Sequence, residues 1–300
     1  MKKESVISRC GYVAIIGRPN VGKSTLLNAI LGQKISITSH KPQTTRHRIL
    51  GIKTIGAVQT IYVDTPGMHR QAKQAINRYM NRTALQVLAD VDVVGFVVEG
   101  TYWTPEDEWI LDKLKKITKP VILIVNKVDL VKPKAQLLPH LELLNKKMAF
   151  ADIIPLSARK GENVPELENL IAKFLPEGPH FFPDDQLTDR NDRFLASEMI
   201  REKITRLVHE EVPYAATVEI EEFKEEEKLI RISAVIWLER EGQKAIVIGE
   251  GGKQLKDIGR RARLDMEKMF EQKVFLKLWV RVKENWSDDE RALRSLGYEE

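Results

Sequence analysis

Cysteine is nearly absent from this 300-residue chain. Cys10 is the single one, so no internal disulfide can form and a reducing compartment fits. Long apolar runs are missing as well: no stretch reaches the roughly 18 residues that a membrane-spanning helix needs. The opening MKKESVISRC is charged and then polar, without the apolar centre of a secretory signal. Internal repeats and low-complexity tracts are also lacking. These absences set the expectation of a cytoplasmic protein. What is present is ordinary for a globular chain, with 43% hydrophobic and 30% charged residues, and the length suggests two domains.

The net charge of +5 is unevenly spread. Residues 1–182 carry 26 Lys and Arg against 16 Asp and Glu, a net of +10, whereas residues 183–300 carry 22 against 27, a net of −5. Bulk charge therefore does not mark the C-terminal part as a binder of anions. Within it, however, Lys244–Arg263 holds six basic residues against two acidic, while Glu219–Glu227 is strongly acidic.

The first 180 residues alternate strand and helix patterns, as an α/β domain does. Tyr12–Gly17 (YVAIIG), Val58–Asp64, Val91–Gly100, Pro120–Lys127 and Asp152–Ala158 read as buried strands, the longest being continuous apolar runs typical of parallel sheets. Pro105–Ile117 reads as a helix. The prolines and polar residues of 175–192 interrupt this rhythm and read as a linker. After it come an amphipathic helix over 193–210, alternating strands over Tyr214–Lys224 and Lys228–Arg240, two helices either side of a glycine loop, and a last strand over Val274–Lys283. The expected division is 1–180, a linker at 181–192, and 193–300. The expected fold is an α/β domain with a mostly parallel sheet and helices on both faces, plus a small α+β domain.

Four short motifs sit at the ends of the first domain's strands. GRPNVGKS, Gly17 to Ser24, matches G-x-x-x-x-G-K-[ST] between a strand and a helix, the context of a phosphate loop. Gly17 and Gly22 allow the tight turn and the approach of backbone amides to phosphate. Arg18, Pro19, Asn20, Val21 and Thr25 complete the loop, Lys23 is placed to reach the β- and γ-phosphates, and Ser24 to hold Mg²⁺. DTPG, Asp64–Thr65–Pro66–Gly67, supplies a carboxylate for Mg²⁺ and an amide that can sense the γ-phosphate. NKVD, Asn126–Lys127–Val128–Asp129, offers a carboxylate that accepts both N–H groups of a guanine edge, and Ser157–Ala158 an amide for its carbonyl. Together, in this order, they resemble P-loop GTPases of the translation-factor-like class. Between the first two motifs lies PQTTRHR, where Thr45 is the expected Mg²⁺- and γ-phosphate-sensing hydroxyl and Thr44 the alternative. Met68, directly after DTPG, cannot orient water as a Gln there would, so slow intrinsic hydrolysis is expected. Asn20 is the residue type that can help bind K⁺, and His47 and His69 read as solvent-facing.

A second glycine loop, Gly249–Glu250–Gly251–Gly252, lacks the Lys-Ser ending and the parallel strand before it. It is a G-x-x-G between two helices, within the order helix-strand-strand-helix-helix-strand. That is the type II KH arrangement, whose loop clamps the backbone of single-stranded RNA. Lys253, Lys256 and Arg260 are the expected phosphate contacts, with Arg263 less central, and Val247 and Ile248 the candidates to line a base groove, one of them being expected to pack in the core instead.

The two halves together resemble the Era family of bacterial GTPases over nearly the whole chain. GRPNVGKSTLLNAILGQKISITS, KPQTTRHRI, YVDTPG, FVVEGTYWTPED, NKVD, REGQKAIVIGEGGKQLKDIG and DDERALRSLGY carry the likeness. The resemblance implies a Mg²⁺-dependent, GTP- and GDP-binding switch that is a monomer, cytoplasmic and partly peripheral at the inner membrane. It implies a partner in the 3′ end of 16S ribosomal RNA, and a role in maturation of the 30S subunit with links to cell growth or division. The alternative reading is a membrane-associated regulatory GTPase whose C-terminal domain binds another RNA or a protein.

Overall fold

The β-branched and apolar runs form strands because each can bury both faces between helices. The structure, a computed structural model, describes residues 7–39, 41, 43–68, 70, 74–208 and 211–298. It divides into two compact units. The first takes Met1–Ser36, Thr45–Ala72 and Met80–Asp189; the second takes Ile37–Thr44, Lys73–Tyr79 and Arg190–Glu300.

In the first unit a six-stranded sheet contains β1 (Arg9–Ile16), β2 (Ile49–Ile55), β3 (Val58–Asp64), β4 (Val93–Glu99), β5 (Val121–Asn126) and β6 (Asp152–Pro155), in the order β2-β3-β1-β4-β5-β6. All neighbours are parallel except β2, which forms an antiparallel hairpin with β3 around Gly56, at φ +58°. The helices are α1 (Lys23–Leu31), α2 (Ala75–Asp90), which begins in the other unit, α3 (Pro105–Leu114), α4 (Leu137–Asn145) and α5 (Val164–Ala172). Cys10, Ala14 and Ile16 of β1 join α2, α3 and α4 in one core, while the alternate residues Val13 and Ile15 are equally buried on the opposite face.

β2 was not among the strands expected from the sequence, and it lies at the sheet's edge. Residues 181–189, expected as a linker, run beside it. The Ile52 amide donates to the Leu187 carbonyl (2.8 Å) and the Leu50 amide to Asp189 (3.3 Å). Fully buried Gln59 holds the same segment: its Oε1 accepts from the amides of Phe181 (2.8 Å) and Phe182 (2.9 Å). An edge strand's free amides are thereby satisfied within the chain, which removes a site of unwanted strand pairing.

The second unit has α6 (Asp192–Leu207), the short α7 (Val212–Ala215), β7 (Thr217–Glu226), β8 (Leu229–Leu238), α8 (Glu241–Ile248), α9 (Lys253–Phe270), β9 (Lys273–Val282) and the short α10 (Glu290–Ser295). α6 is N-capped by Asn191, whose side chain accepts from the Phe194 amide (2.9 Å). Residues 209 and 210, placed in this helix by the sequence, lie outside the described residues. β7 and β8 are antiparallel, and β8 and β9 parallel. Ile230, Ile232, Ala234, Ile236 and Leu238 alternate inward from β8 onto Ile200 and Ile204 of α6 and Ile258, Ala262 and Met266 of α9. No helix among the described residues is long and apolar enough to cross a membrane.

Candidate nucleotide and nucleic-acid sites

Parallel pairing carries four loops to one end of the first sheet. The register sets Ile15 beside Asp64, Ile16 beside Phe96, Glu99 beside Asn126 and Val125 beside Pro155. The loops after β1, β3, β5 and β6 therefore open at the carboxyl ends of the strands, where α/β sheets hold ligands.

The phosphate loop is closed around its own backbone. Gly17 (φ +155°) leaves no room for a side chain: a Cβ would meet the Val97 carbonyl oxygen at 2.4 Å. At Gly22 (φ +99°) a Cβ would meet Asn126 Nδ2 at 2.3 Å. Pro19 packs against Gly67, where an added Cβ would lie 2.9 Å from the proline ring, so the first and second motifs touch. Lys23 is buried and donates to the carbonyls of Gly17 (3.0 Å) and Arg18 (2.9 Å). Burial pushes its pKa down to about 8, opposed by Asp64. A phosphate anion there would restore the favourable environment that its ammonium lacks.

Asp64, fully buried at the end of β3, gathers three hydroxyls. Ser24 and Ser36 donate to its Oδ2 at 2.7 and 2.8 Å, and Thr45 lies 3.5 Å from it and 2.7 Å from Ser24. Its Oδ1 is buried with no hydrogen-bond partner. Burial pushes the carboxyl pKa up, against the pull of Lys23 and the hydroxyls. An orphaned carboxylate oxygen among hydroxyl oxygens is a hard-oxygen donor set, which fits Mg²⁺. The structure brings Thr45, not Thr44, to this cluster; the Thr44 hydroxyl instead donates to the Lys41 carbonyl (2.6 Å). Ser36 was missed in the sequence, where it is one of several small hydroxyl residues in QKISITS.

Thr65 is buried and its hydroxyl donates to the Ile15 carbonyl (2.9 Å), which fixes DTPG to the phosphate-loop strand. Pro66 is buried. Met68 is fully buried in the core, with its amide on the Gly17 carbonyl (3.3 Å). His69 lies outside the described residues.

The base loop is braced from two sides. Asn126 donates to the Val21 carbonyl (2.8 Å) and accepts from the Ala158 amide (3.0 Å), so it ties the phosphate loop to the Ser157–Ala158 turn. Lys127 adopts φ +64°. Val128 donates through its amide to the Leu156 carbonyl (3.3 Å), and the Ser157 hydroxyl donates to Asp129 Oδ1 (2.8 Å), which leaves Asp129 aimed and half-exposed. Glu99, which sequence reasoning did not single out, pairs with both Lys127 (3.0 Å) and Arg18 (3.1 Å), and Arg18 also reaches buried Asp107 (3.2 Å). Asp107 additionally completes a capping box with Thr104 at the start of α3. Only the T-P-E-D cap pattern was a visible signal for it. Asn20 is exposed at φ +64°, Thr25 is half-buried in α1, and His47 is half-buried.

The second glycine loop is built differently. α8 ends at Gly249 (φ +70°), where a Cβ would meet Gln254 Cβ at 2.6 Å, so this glycine lets the loop fold onto α9. Gly251 (φ +58°) and Gly252 (φ +76°) face open space, with nothing within 4 Å of an added Cβ. Glu250, Lys253, Lys256 and Arg260 are exposed, and the three cations share one face of α9 by their spacing. Arg260 pairs with Asp257 (3.1 Å), as does Arg261 (2.9 Å). One expectation is corrected: Val247 is fully buried in the core with Ile258 and Met266, because α8 turns that side chain onto α9, so it cannot line a groove. Ile248, half-buried beside the loop, can.

The comparisons with known proteins agree with this geometry. A family model described as a 50S ribosome-binding GTPase matches residues 12–127, and a KH-domain model matches residues 211–287. The chain is 61% identical to a GTPase Era from Marinobacter nauticus over 296 residues, 99% of this chain and 97% of that protein. It is 60% identical to a GTPase Era from Pseudomonas fluorescens over 295 residues, 98% of each. The crystal structure of an Era bound to MgGDPNP and nucleotides 1506–1542 of 16S ribosomal RNA superposes with a TM-score of 0.94 at 42% identity, covering 97% of this chain and 99% of that one. Full-length identity at this level, with both halves folded alike, places the chain in the Era family of GTPases.

Proposed function

We propose that this chain is a Mg²⁺-dependent GTP-hydrolysing switch that binds the 3′ end of 16S ribosomal RNA and assists assembly of the 30S subunit. The observation that carries the reading is the pairing, in one chain, of four guanine-nucleotide loops at one sheet end with an open G-x-x-G loop in a type II KH sheet.

The chemistry follows from the placements. The amides of Gly17–Ser24 and Lys23 hold the β- and γ-phosphates, and Asp129, Asn126 and the Ala158 amide select guanine. Ser24, Thr45 and Asp64 would hold Mg²⁺, which would neutralise phosphate charge there. Gly67, pressed on Pro19, presents its amide to the γ-phosphate. Met68 has no group to orient water, so intrinsic hydrolysis is slow. Asn20 supports K⁺ beside the phosphates; equal hydrolysis rates in K⁺ and Na⁺ buffers would remove that part of the reading. Ile248 and the glycine loop receive RNA, with Lys253, Lys256 and Arg260 on its phosphates. Cytoplasmic work with peripheral association at the inner membrane completes the proposal and rests on the family likeness alone.

The test is crosslinking of the full chain to total cellular RNA, in a GTP analogue and in GDP, followed by sequencing of the bound fragments. Enrichment of the 16S 3′ end in the GTP-analogue state is the expected result. Enrichment of large-subunit RNA, in keeping with the 50S wording of the matched family model, would redirect the assignment. No salt-dependent RNA binding at all would favour a protein-binding C-terminal unit.

A further inference from the structure

Glu99 ends β4, the one inner strand of the first sheet whose loop carries none of the four motifs. Its carboxylate nevertheless stands between two of them. Oε1 pairs with Lys127 of the base loop (3.0 Å), and Oε2 accepts from Arg18 Nη2 of the phosphate loop (3.1 Å). All three residues lie within the first unit. The backbone fixes Glu99 at this place. It sits opposite Asn126 in the parallel register, and the Gly100 amide donates to the Asn126 carbonyl (2.7 Å). The Tyr102 amide turns back onto the Glu99 carbonyl (2.9 Å). Asn126 directly precedes Lys127, so carboxylate and ammonium start from one anchored point.

Arg18 is a firm brace for Glu99. Its Nε reaches Oδ2 of fully buried Asp107 (3.2 Å), and the same oxygen accepts from the Thr104 amide (2.9 Å) and hydroxyl (2.8 Å). A planar guanidinium shared by two carboxylates is held in one orientation. Lys127 needs such a brace more than Arg18 does. Its ammonium ends a flexible four-carbon stem, which loses rotamer freedom whenever a ligand orders it. Pinning the tip to Glu99 moves that loss from binding to folding, which is preorganisation. The pinned methylenes then present an apolar surface, and a purine ring has two apolar faces. The Glu99 pairs are half-exposed and add little stability by themselves, so their effect is better sought in what they orient.

We infer that Glu99 is a positioning residue for guanine binding: braced by Arg18, it pins the Lys127 ammonium and so presets the Lys127 stem as one wall of the base slot. This rests on the guanine-nucleotide assignment given above. Through one carboxylate, the loop that takes the base is tied to the loop that takes the phosphates. The two ends of the nucleotide then meet a frame whose spacing is set before it arrives.

The experiment uses the full chain loaded with a fluorescent GDP analogue, displaced on the same preparation by GDP and by inorganic pyrophosphate. Pyrophosphate probes the phosphate loop without a base. The main variant is Glu99→Gln, which keeps the shape and removes the charge. Its GDP affinity should fall about tenfold, the scale of one charge-assisted hydrogen bond. Its pyrophosphate affinity should not change, because Asp107 still holds Arg18. Glu99→Asp, which keeps the charge on a shorter arm, should fall between that variant and the unsubstituted chain. Lys127→Ala should lose GDP affinity as well. In that background Glu99→Gln should cost nothing further, because its effect runs through Lys127. An equal loss for pyrophosphate, or an undiminished loss in the Lys127→Ala background, overturns the proposal and leaves Glu99 a structural residue. If Glu99→Gln leaves GDP affinity intact, this inference alone falls. If the unsubstituted chain does not prefer GDP to ADP, the guanine assignment falls, and the inference falls with it.

Discussion

The chain carries two glycine loops ahead of helices, and they differ in what surrounds the glycines. At Gly17 and Gly22 an added Cβ would strike the Val97 carbonyl or Asn126 within 2.4 Å, so the glycines are required by the protein's own atoms. At Gly251 and Gly252 an added Cβ would meet nothing of the protein beyond its chain neighbours within 4 Å. Behind the first loop stand buried Lys23 and buried Asp64; beside the second stand exposed Lys253, Lys256 and Arg260. The difference matches the ligand each would take. One nucleotide can be enclosed, so its loop is closed, backed and shaped to a single polyphosphate. A polynucleotide must enter and leave sideways, so its loop keeps bare backbone facing outward and relies on exposed surface cations.

The enclosed site should show the largest single effect. Asp129 accepts from the Ser157 hydroxyl, and in the proposed function its carboxylate takes two N–H groups of guanine. Asp129→Asn exchanges an acceptor for a donor and should reverse preference from guanosine to xanthosine nucleotides, by a factor on the order of 10⁴ in relative affinity. Competition binding with GDP and xanthosine diphosphate measures it. RNA affinity without nucleotide should not change. If it does, the two loops are not independent cradles.

The open loop is broken from the other side. Gly251→Asp with Gly252→Asp places carboxylates where the structure leaves space; both positions have positive φ, which costs about 1–2 kcal/mol each but which Asp adopts more readily than most residues, while phosphate is repelled. RNA affinity should fall by about a hundredfold with GDP affinity unaltered, as read by filter binding and nucleotide titration on the same preparation. The same pair of changes at Gly17 and Gly22 would strike the protein's own atoms, which is the contrast in its sharpest form.

How much of this was legible beforehand depends on whether a residue's role is local. GRPNVGKS, DTPG and NKVD each sit at a strand end, so periodicity and spacing alone placed them, and the type II KH order followed from element sequence. β2 escaped because Gly51 and Lys53 break its pattern, and because an edge strand is defined by its neighbour rather than by itself. Residues 181–189 looked like a linker because a proline and acidic residues are common in linkers; only the pairing with β2 and Gln59 shows them to be a strap. Glu198 and Arg201, three apart on a helix, resemble any solvated surface pair until burial is known. Glu99 was visible within FVVEG, but its double pairing joins residues 81 and 28 positions away.

Of Val247 and Ile248, one was expected to pack in the core, and the structure makes it Val247. Val247→Ala removes buried methyl groups beneath the loop and should cost about 2 kcal/mol of stability, measured by denaturant titration. It should leave the salt dependence of RNA binding untouched, since no phosphate contact is lost. Ile248→Ala should do the reverse, with little change in stability and weaker RNA binding.

The smallest expected effect is also the most diagnostic of the clamp. If Lys253, Lys256 and Arg260 each meet a phosphate, then each contributes counterion release, and the slope of log affinity against log salt should shrink by about 0.7 for every one replaced by Ala. Lys253 and Lys256 are exposed and form no ion pair among the described residues, whereas Arg260 already shares Asp257 with Arg261. The Arg260 change should therefore be the shallowest of the three. Nucleotide affinity, set in an enclosed cradle, should show none of this dependence on the same residues. A slope that stays constant through all three replacements would mean that the open loop holds its partner by something other than phosphate.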